Sequence, residues 1–229
     1  FMLNAPYNGG THLPDVTAVM PVFGAEAKPL FYVASRGHHT DIGGLTPGSM
    51  PPDSRRVEEE GVLIDNFKLV NEGTFLEDET RALLASGDYP CRSPDINLAD
   101  LKAQVASCEK GAQELRKMVE HFGLEVVRAY MRHVQDNAEE QVRNAITRLK
   151  DAEYVYPMDE GFDGGKRQIK VKIAVDRDAR SATIDFTGTT AQVTNNYNAP
   201  RPVTKAACLY VFRLLVEDDI PMNEGVMKP

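Results

Sequence analysis

The amino-terminal part of the chain contains two short apolar runs bounded by segments rich in glycine, proline and histidine. The runs VTAVMPVF (16–23) and LFYVAS (30–35) have the length and the β-branched and aromatic content of buried strands. One irregular segment precedes the first run and another follows the second. Because a rigid sheet commonly positions such loops for function, both segments are candidates for a site. The second is also long for a loop without structure of its own.

The middle of the chain changes to helical spacing. Residues 55–73 mix charges with a short apolar run, which predicts one strand between loops, and residues 75–86 predict a short helix. Apolar residues then recur every three or four positions over 98–119 and again over 124–150, with a break at His121-Phe122-Gly123. This pattern predicts two long helices, arranged as an antiparallel pair.

The last third alternates apolar and polar residues before one more helical stretch. The alternation over 169–175 and 182–186, around DRDARS, predicts a hairpin, and 204–218 predicts a final helix. Strands, helices, strands and a helix in that order favour an α+β fold with mixed or antiparallel sheets and a long helical-pair insertion. We expect one incomplete domain, with a sheet and site loops over 1–94, the helical pair over 95–150, and strands with a final helix over 151–229.

Composition excludes several classes of protein. The chain has 26 lysines and arginines against 34 aspartates and glutamates, a formal net charge of −8, and it has no basic stripe with interleaved aromatics, so nucleic acid is not an expected partner. No apolar run is long enough to span a membrane, and no secretory signal opens the sequence. The scattered Cys91, Cys108 and Cys208 indicate reduced thiols, each a small buried hydrophobe, and hence a cytoplasmic protein.

Histidines and acids concentrate in the two irregular segments. His12 lies three residues before Asp15, and His38-His39 lies just before Asp41. Imidazole and carboxylate groups together suit Mn²⁺, Fe²⁺ or Zn²⁺. If the two apolar runs form an antiparallel pair, the ends that carry these residues meet on one side of the sheet. The alternative is that the polar groups satisfy backbone groups of long loops.

Other patterns are weaker. Gly164-Gly165-Lys166 lacks the remaining residues of a phosphate loop and precedes a strand, which favours a hairpin turn. The run Glu58-Glu59-Glu60 is typical of a solvated face. His121 and His133 are expected to be ordinary helix residues, and Cys208 has no histidine near it in sequence.

Four blocks of the sequence resemble the hydantoinase B/oxoprolinase family. They are NAPYNGGTHLPDVT, SRGHHTDIGGLTPGSMPPDSRRVEEEGVLIDNFKLV, NLADLKAQVASCEKG and IDFTGTTAQVTNNYNAP, in the order of the family. They reach from the start of the chain to about residue 200, and SRGHHTDIGG is most similar to the 5-oxoprolinases. Arg36 in this motif, with Asn4 and Ser49 in the neighbouring segments, is a candidate substrate-binding residue.

The resemblance implies an enzyme that works with a partner. In the family, an actin-like A-type subunit or domain binds ATP and is thought to phosphorylate the substrate, and the B-type portion completes the opening of 5-oxoproline or a hydantoin. Related proteins carboxylate acetone or acetophenone. Carried over by motif, the ligands of a divalent metal (Mn, Zn, Fe or Mg) are His12, Asp15 and His38 or His39, with Asp41 close by. The implied function is a cyclic amide hydrolase in a hetero-oligomer, with ATP bound only by the partner.

The chain departs from the family in ways that bear on activity. Asn4-Ala5-Pro6-Tyr7 stands where the family usually has Asn-Asp-Pro-Tyr, so a carboxylate that supports the site or the substrate is missing. The chain does not begin with Met and closes without a capping signal, which predicts a fragment cut at both ends. We therefore expect the isolated chain to be inactive. The alternatives are a carboxylase subunit and a non-catalytic fragment that binds a partner.

Overall fold

The computed structural model describes residues 1–25, 27–159 and 164–229. Its described residues form α-helices and small antiparallel sheets, which confirms the predicted α+β class. The chain divides into two compact units, the first comprising Phe1–His121 with Thr194–Val203 and the second comprising Phe122–Val193 with Thr204–Pro229. No helix among the described residues is long and apolar enough to cross a membrane.

The first unit contains the two predicted strands of the amino-terminal segment. They pair over their whole length, and the second continues three residues beyond its predicted end. The elements of this unit are β1 (Met2–Leu3), β2 (Asp15–Phe23), β3 (Pro29–His38), β4 (Val70–Asn71), β5 (Thr74–Phe75), α1 (Glu77–Leu84) and α2 (Pro94–Phe122, whose last residue lies in the second unit).

The first sheet has the order β1-β2-β3, and α2 packs against one of its faces. Val16 and Ala18 are buried on this face. The contact is close because glycine stands on both sides of it. A Cβ at Gly37 of β3 would lie 3.3 Å from the Gln104 side chain of α2, and one at Gly111 of α2 would lie 3.6 Å from Val33. Side chains alternate along a strand, and those of β3 on the opposite face, Tyr32, Ala34, Arg36 and His38, are exposed, so this face of the sheet is open.

The segment 57–70 differs from its prediction, because it forms no continuous strand. It holds a single turn of 3-10 helix at Val57–Glu59 and then reaches β4 through turns and bends, with one bridge residue at Phe67. The Ile64 carbonyl accepts the N–H groups of Asn4 and Ala5, and Phe67 bridges to Met2. The apolar residues of this segment therefore belong to the core of the first unit. That core contains Met2, Leu13, Val16, Ile42, Val62, Ile64, Leu69, Leu84, Cys91, Leu98 and Leu101.

The second unit contains the other long helix and the carboxy-terminal sheet. The predicted hairpin and final helix are present, but the sequence did not predict β6, because six of its seven residues are exposed and show no alternation. The elements are α3 (Leu124–Ile146), β6 (Ala152–Met158), β7 (Arg167–Asp176), β8 (Ser181–Asp185) and α4 (Arg201–Leu215, which begins in the first unit). The core of this unit contains Ala138, Val142, Ala145, Ile146, Val216, Ile220 and Val226.

The two long helices form as predicted, with the break at Gly123, whereas their arrangement as an antiparallel pair stays a prediction. Gly123 has a φ of 86°, in the left-handed region that glycine adopts without strain. The buried residues of α2, such as Leu101, belong to the core of the first unit, whereas those of α3, such as Val142, belong to the core of the second. His121 lies in α2 and His133 in α3, as expected of helix residues.

Candidate functional site

The register of β2 and β3 places Asp15 directly opposite His38. This confirms that the ends of the two strands meet. The Nδ1–H of His38 donates to Oδ1 of Asp15 at 2.8 Å, since a carboxylate can only accept. In a neutral ring this bond fixes the tautomer and leaves the lone pair on Nε2. The His38 side chain is 62% exposed, so that nitrogen is open to a ligand.

His12 joins this pair from the loop before β2. Its ring centroid lies 5.5 Å from that of His38, and Asp15 N–H donates to the His12 carbonyl to close the turn. Burial is the main cause that lowers the pKa of His12 below its usual value; the charge of Asp15 opposes this, His38 adds to it and Glu60 opposes it. The lowered pKa favours a neutral imidazole, the form that binds metals and accepts protons.

Asn4 holds the His12 loop in place from inside the core. Its Nδ2 donates to the carbonyls of Leu13 and Val62 at 2.9 and 3.0 Å, and its Oδ1 accepts the N–H of Ile64 at 2.7 Å. The residue is 0% exposed. Predicted as a substrate-binding residue, Asn4 is placed by the structure as a clamp between two segments, because its amide is already engaged by three backbone groups.

The turn beside Asn4 is tightly packed. A Cβ at Gly10 would lie 2.0 Å from the Asn4 carbonyl oxygen, so only glycine fits there. Ala5, the departure from the family pattern, is 1% exposed and its N–H donates to the Ile64 carbonyl. An aspartate at position 5 would therefore have its backbone and Cβ buried.

His39 lies in the interior although it follows His38 directly. It is 1% exposed, and its two ring nitrogens meet amides from α2. Nδ1 accepts from Asn97 Nδ2 at 3.0 Å, and Nε2–H donates to Gln104 Oε1 at 3.2 Å. The amide orientations are consistent, because Asn97 Nδ2 also donates to the Asp41 carbonyl and Gln104 Nε2 donates to those of Val16 and Ser35.

Asp41 and Ser49 support the loop that follows. Oδ1 and Oδ2 of Asp41 accept N–H groups of Gly43, Gly48 and Arg92, and the Arg92 guanidinium at 2.7 Å. Burial, the largest single effect, raises the pKa of Asp41, but the hydrogen bonds from Arg92, Gly43 and Gly48 together lower it below its ordinary value.

The Ser49 hydroxyl makes two hydrogen bonds within the same loop. It donates to the Gly43 carbonyl at 2.8 Å and accepts the N–H of Ile42 at 2.9 Å, and the residue is buried. The structure therefore engages Ser49 in shaping the loop, although it was predicted as a substrate-binding residue. These contacts also hold its backbone in the left-handed region, at a φ of 55°.

Arg36 lies on the open face of the sheet, where the register pairs it with Thr17. Its Nε donates to Thr17 Oγ1 at 2.8 Å, and the residue is exposed. Asp15 and His38 form the adjacent pair on the same face, two residues along each strand. Of the three predicted substrate-binding residues, Arg36 is the one that the structure places beside the histidines.

Sequence reasoning missed two acidic or polar neighbours of His12. Thr11 Oγ1 donates to Asp15 Oδ2 at 3.3 Å. Glu60, interpreted as part of a solvated charge run, is partly buried, accepts from Ser54 at 2.8 Å, and acts electrostatically on His12. The apolar residues after Glu60 were the available signal, because they draw that segment into the core where Asn4 binds Val62.

The predicted metal ligands thus separate into two groups. His12, Asp15 and His38 come together, whereas His39 and Asp41 are engaged in other hydrogen bonds. Among residues 1–25, 27–159 and 164–229, no three His, Cys, Asp or Glu side chains are arranged as a ready metal site. The donor types of His12, Asp15 and His38 still suit a divalent cation, provided that the Asp15–His38 hydrogen bond opens.

The cysteines provide no nucleophile in the described part of the chain. Burial is the main cause that raises the pKa of the Cys91 thiol to about 12, with the charge of Asp41 adding to it. Burial likewise raises the pKa of Cys108 and Cys208. Thiols with raised pKa values stay protonated at neutral pH and react poorly.

Comparison with solved structures identifies the fold. The chain is similar to the crystal structure of an ATP-dependent caprolactamase from Pseudomonas jessenii, with a TM-score of 0.81 and 24% sequence identity. The match covers 99% of this chain and 38% of the caprolactamase chain. The chain is also similar to a nucleotide-free structure of acetone carboxylase, with a TM-score of 0.82 and 18% sequence identity. That match covers 99% of this chain and 31% of the carboxylase chain. At these identities the likeness establishes the fold alone.

Comparison of sequences identifies the family. The chain is 41% identical over 231 residues to a 5-oxoprolinase of Dictyostelium discoideum and 46% identical over 233 residues to 5-oxoprolinase PfmaA of Pestalotiopsis fici. Each alignment covers 99% of this chain and 18% of the relative, so the chain spans less than a fifth of their length. The family model described as hydantoinase B/oxoprolinase matches residues 1–229 in full. This chain belongs to the hydantoinase B/oxoprolinase family.

Proposed function

We propose that the chain is the B-type catalytic portion of an ATP-dependent cyclic amidase, that 5-oxoproline is its favoured substrate, and that an A-type subunit or domain binds the ATP. Family membership and the 5-oxoprolinase names of similar proteins support this class of reaction. The proposal rests on one observation above all, the register that sets His38 against Asp15 on an open sheet face with His12 beside them.

The reaction adds water across a stable ring amide. 5-Oxoproline, ATP and two water molecules would give glutamate, ADP and phosphate. One water adds to the ring carbonyl carbon as the C–N bond breaks and the nitrogen leaves as an amine, and the second releases the phosphate that ATP had supplied. An unactivated amide is a poor electrophile, so transfer of phosphate to its oxygen at the partner's site would prepare the carbon for attack. The remaining task for this chain is to position the activated amide and to deliver water to it.

The Asp15–His38 pair suits the delivery of water. Because His38 Nδ1–H is held by Asp15, Nε2 is the basic nitrogen, and a ring that is 62% exposed can reach a water molecule. Nε2 would take the proton of the attacking water, and Asp15 would stabilise the charged ring that forms. His12, kept neutral by its lowered pKa, can accept a second hydrogen bond from water or substrate.

His12, Asp15 and His38 would also be the residues that hold a divalent metal. When bound, such an ion would polarise an amide or phosphate oxygen or activate water. A role for His39 as ligand is disfavoured, since both of its nitrogens meet amides of α2.

The assignment of ATP to the partner agrees with the glycine-rich turns of the first unit. A phosphate cradle needs free backbone N–H groups. The N–H of Gly43 donates to Asp41, that of Gly44 to the Tyr89 carbonyl, and that of Gly10 to the Ala5 carbonyl. Calorimetric titration of the chain with Mg-ATP should show no binding, whereas saturable one-to-one binding at micromolar affinity would contradict the division of roles.

The full-length protein with its A-type partner gives the direct test. Supplied with ATP and 5-oxoproline, it should release glutamate and ADP in equal amounts, and His12→Ala should abolish most of the glutamate. Mass spectrometry of the products measures both. If cyclic amides stay intact while acetone and bicarbonate are consumed, the protein is a carboxylase, and if neither reaction occurs, the chain is a non-catalytic portion.

A further inference from the structure

The guanidinium of Arg36 is held by one hydrogen bond, and its other donors remain available. Its Nε donates to Thr17 Oγ1 at 2.8 Å, which orients the planar group over the open face. Among the described residues its two terminal nitrogens have no hydrogen-bond partner and no carboxylate within salt-bridge distance. An arginine held by Nε presents its remaining donors as a fork, the geometry that a carboxylate accepts with both oxygens.

The register sets this fork at a fixed distance from the histidines. Thr17 and Arg36 form one cross-strand pair, and Asp15 and His38 form the pair two residues further along on the same face. Two residues along a strand span about 7 Å. Both groups belong to β2 and β3, whose other face packs on α2, so their spacing is set by rigid elements rather than by a loop.

We infer that Arg36 binds a carboxylate of the substrate, so that the site selects cyclic amides that carry a carboxylate near the reacting carbonyl. This deepens the proposed function and rests on it. A lactam with a carboxylate on the ring carbon next to nitrogen places the anion and the reacting carbonyl on either side of that nitrogen. With the anion on Arg36, the carbonyl would lie toward His38 and Asp15.

The charges around Arg36 explain why the pairing would discriminate. The chain has a net charge of −8, and Asp15 adds a negative charge on the same face, so an anionic substrate needs a dedicated cation to approach. An uncharged lactam would leave the Arg36 fork facing only water and would gain nothing from it. Substrates that pair with a preorganised polar group are separated strongly from analogues that lack their half of the pair.

The experiment compares two lactams that differ only in the carboxylate. The full-length protein with its partner and ATP is assayed on 5-oxoproline and on 2-pyrrolidinone, as wild type and as Arg36→Met, which keeps an unbranched apolar stem. The matched control is Arg116→Met, which changes an exposed arginine of α2. Circular dichroism confirms that the variants are folded.

We expect Arg36→Met to raise KM for 5-oxoproline about 100-fold with a smaller change in kcat, and to leave kcat/KM for 2-pyrrolidinone unchanged, because the lost contact is to the carboxylate. Arg116→Met should leave both substrates unaffected. Wild-type protein that opens both lactams with equal kcat/KM, or an Arg36→Met variant that loses both equally, would overturn the carboxylate role while leaving the cyclic amidase intact. Wild-type protein that opens neither lactam would overturn the proposed function itself.

Discussion

His38 and His39 are neighbours in one motif, yet the structure uses them in opposite ways. His38 ends β3 on the open face, donates to Asp15 and keeps one ring nitrogen available. His39 turns into the interior, where Asn97 and Gln104 of α2 engage both of its nitrogens. Side chains alternate along an extended strand, so two consecutive histidines face opposite ways, and the helix α2 that packs on one face decides which of them is buried. A doubled histidine in a sequence is therefore one candidate for chemistry and one for the core.

Asn4 is a buried polar residue like His39, and its substitution should have the largest effect on stability. Asn4→Ala would leave the carbonyls of Leu13 and Val62 and the N–H of Ile64 buried without their partner. We expect the free energy of unfolding to fall by about 4 kcal/mol, since each buried unpaired group costs roughly 1–3 kcal/mol. Urea denaturation followed by circular dichroism measures it. A loss below about 1 kcal/mol would show that Asn4 is not a clamp.

Replacing each histidine tests the comparison itself. His39→Ala removes two buried hydrogen bonds and opens a cavity, so we expect a loss of about 3 kcal/mol in the free energy of unfolding. His38→Ala is the matched control, and it should cost less than about 1 kcal/mol, as exposed ion pairs do. Equal losses in the two variants, measured by urea denaturation, would erase the distinction between an interior and a site histidine.

Asp41 should behave as an interior group with a charge. Its lowered pKa means that it stabilises the fold fully above its ordinary value near 3.8 and that this contribution is lost as the pH falls through the lowered pKa. Asp41→Asn should therefore cost about 1.5–3 kcal/mol at pH 7, the usual value of hydrogen bonds to a charged acceptor. The difference between variant and wild type should shrink in acid. A difference that is constant from pH 7 to pH 3 would contradict this.

Substitution of His12 should have the smallest effect on stability. An ion-paired histidine, whose pKa is raised, stabilises the fold at low pH, whereas His12 should stabilise it at high pH. Its pKa is lowered, so its neutral form favours the fold above the ordinary value of 6.5, and this contribution is lost as the pH falls below 6.5 toward the lowered pKa. Wild type should lose more thermal stability between pH 8 and pH 5 than His12→Gln does. Scanning calorimetry at matched pH values measures both slopes, and identical slopes would refute a lowered pKa.

Much of the fold could be predicted from the sequence because the relevant patterns are local. The apolar runs gave β2 and β3, and helical spacing gave α2 and α3 with a break at Gly123. The segment 57–70 could not be read in this way, because its backbone pairs with Asn4 and Met2, about sixty residues earlier. β6 was missed because its exposed residues follow no period.

Only part of the candidate site could be predicted from the sequence, for a related reason. The sequence placed His12, Asp15 and His38 together through the pairing of two strands, and the register of that pairing sets Asp15 opposite His38. It could not separate His38 from His39, because that depends on Asn97 and Gln104, which lie some sixty residues away on α2. Glu60 was missed because a run of three acids gives no indication of which one turns inward.

The most direct test of the account is turnover of 5-oxoproline by the full-length protein with its A-type partner and ATP, in a His38→Ala and a His39→Gln variant. Both are assayed at low temperature and corrected for the folded fraction. We predict that His38→Ala loses turnover at least about 100-fold, as loss of a general base does, while His39→Gln stays within a few-fold of wild type. Unchanged turnover in His38→Ala, or an equal loss in both variants, would contradict the assignment of the open face as the reactive site.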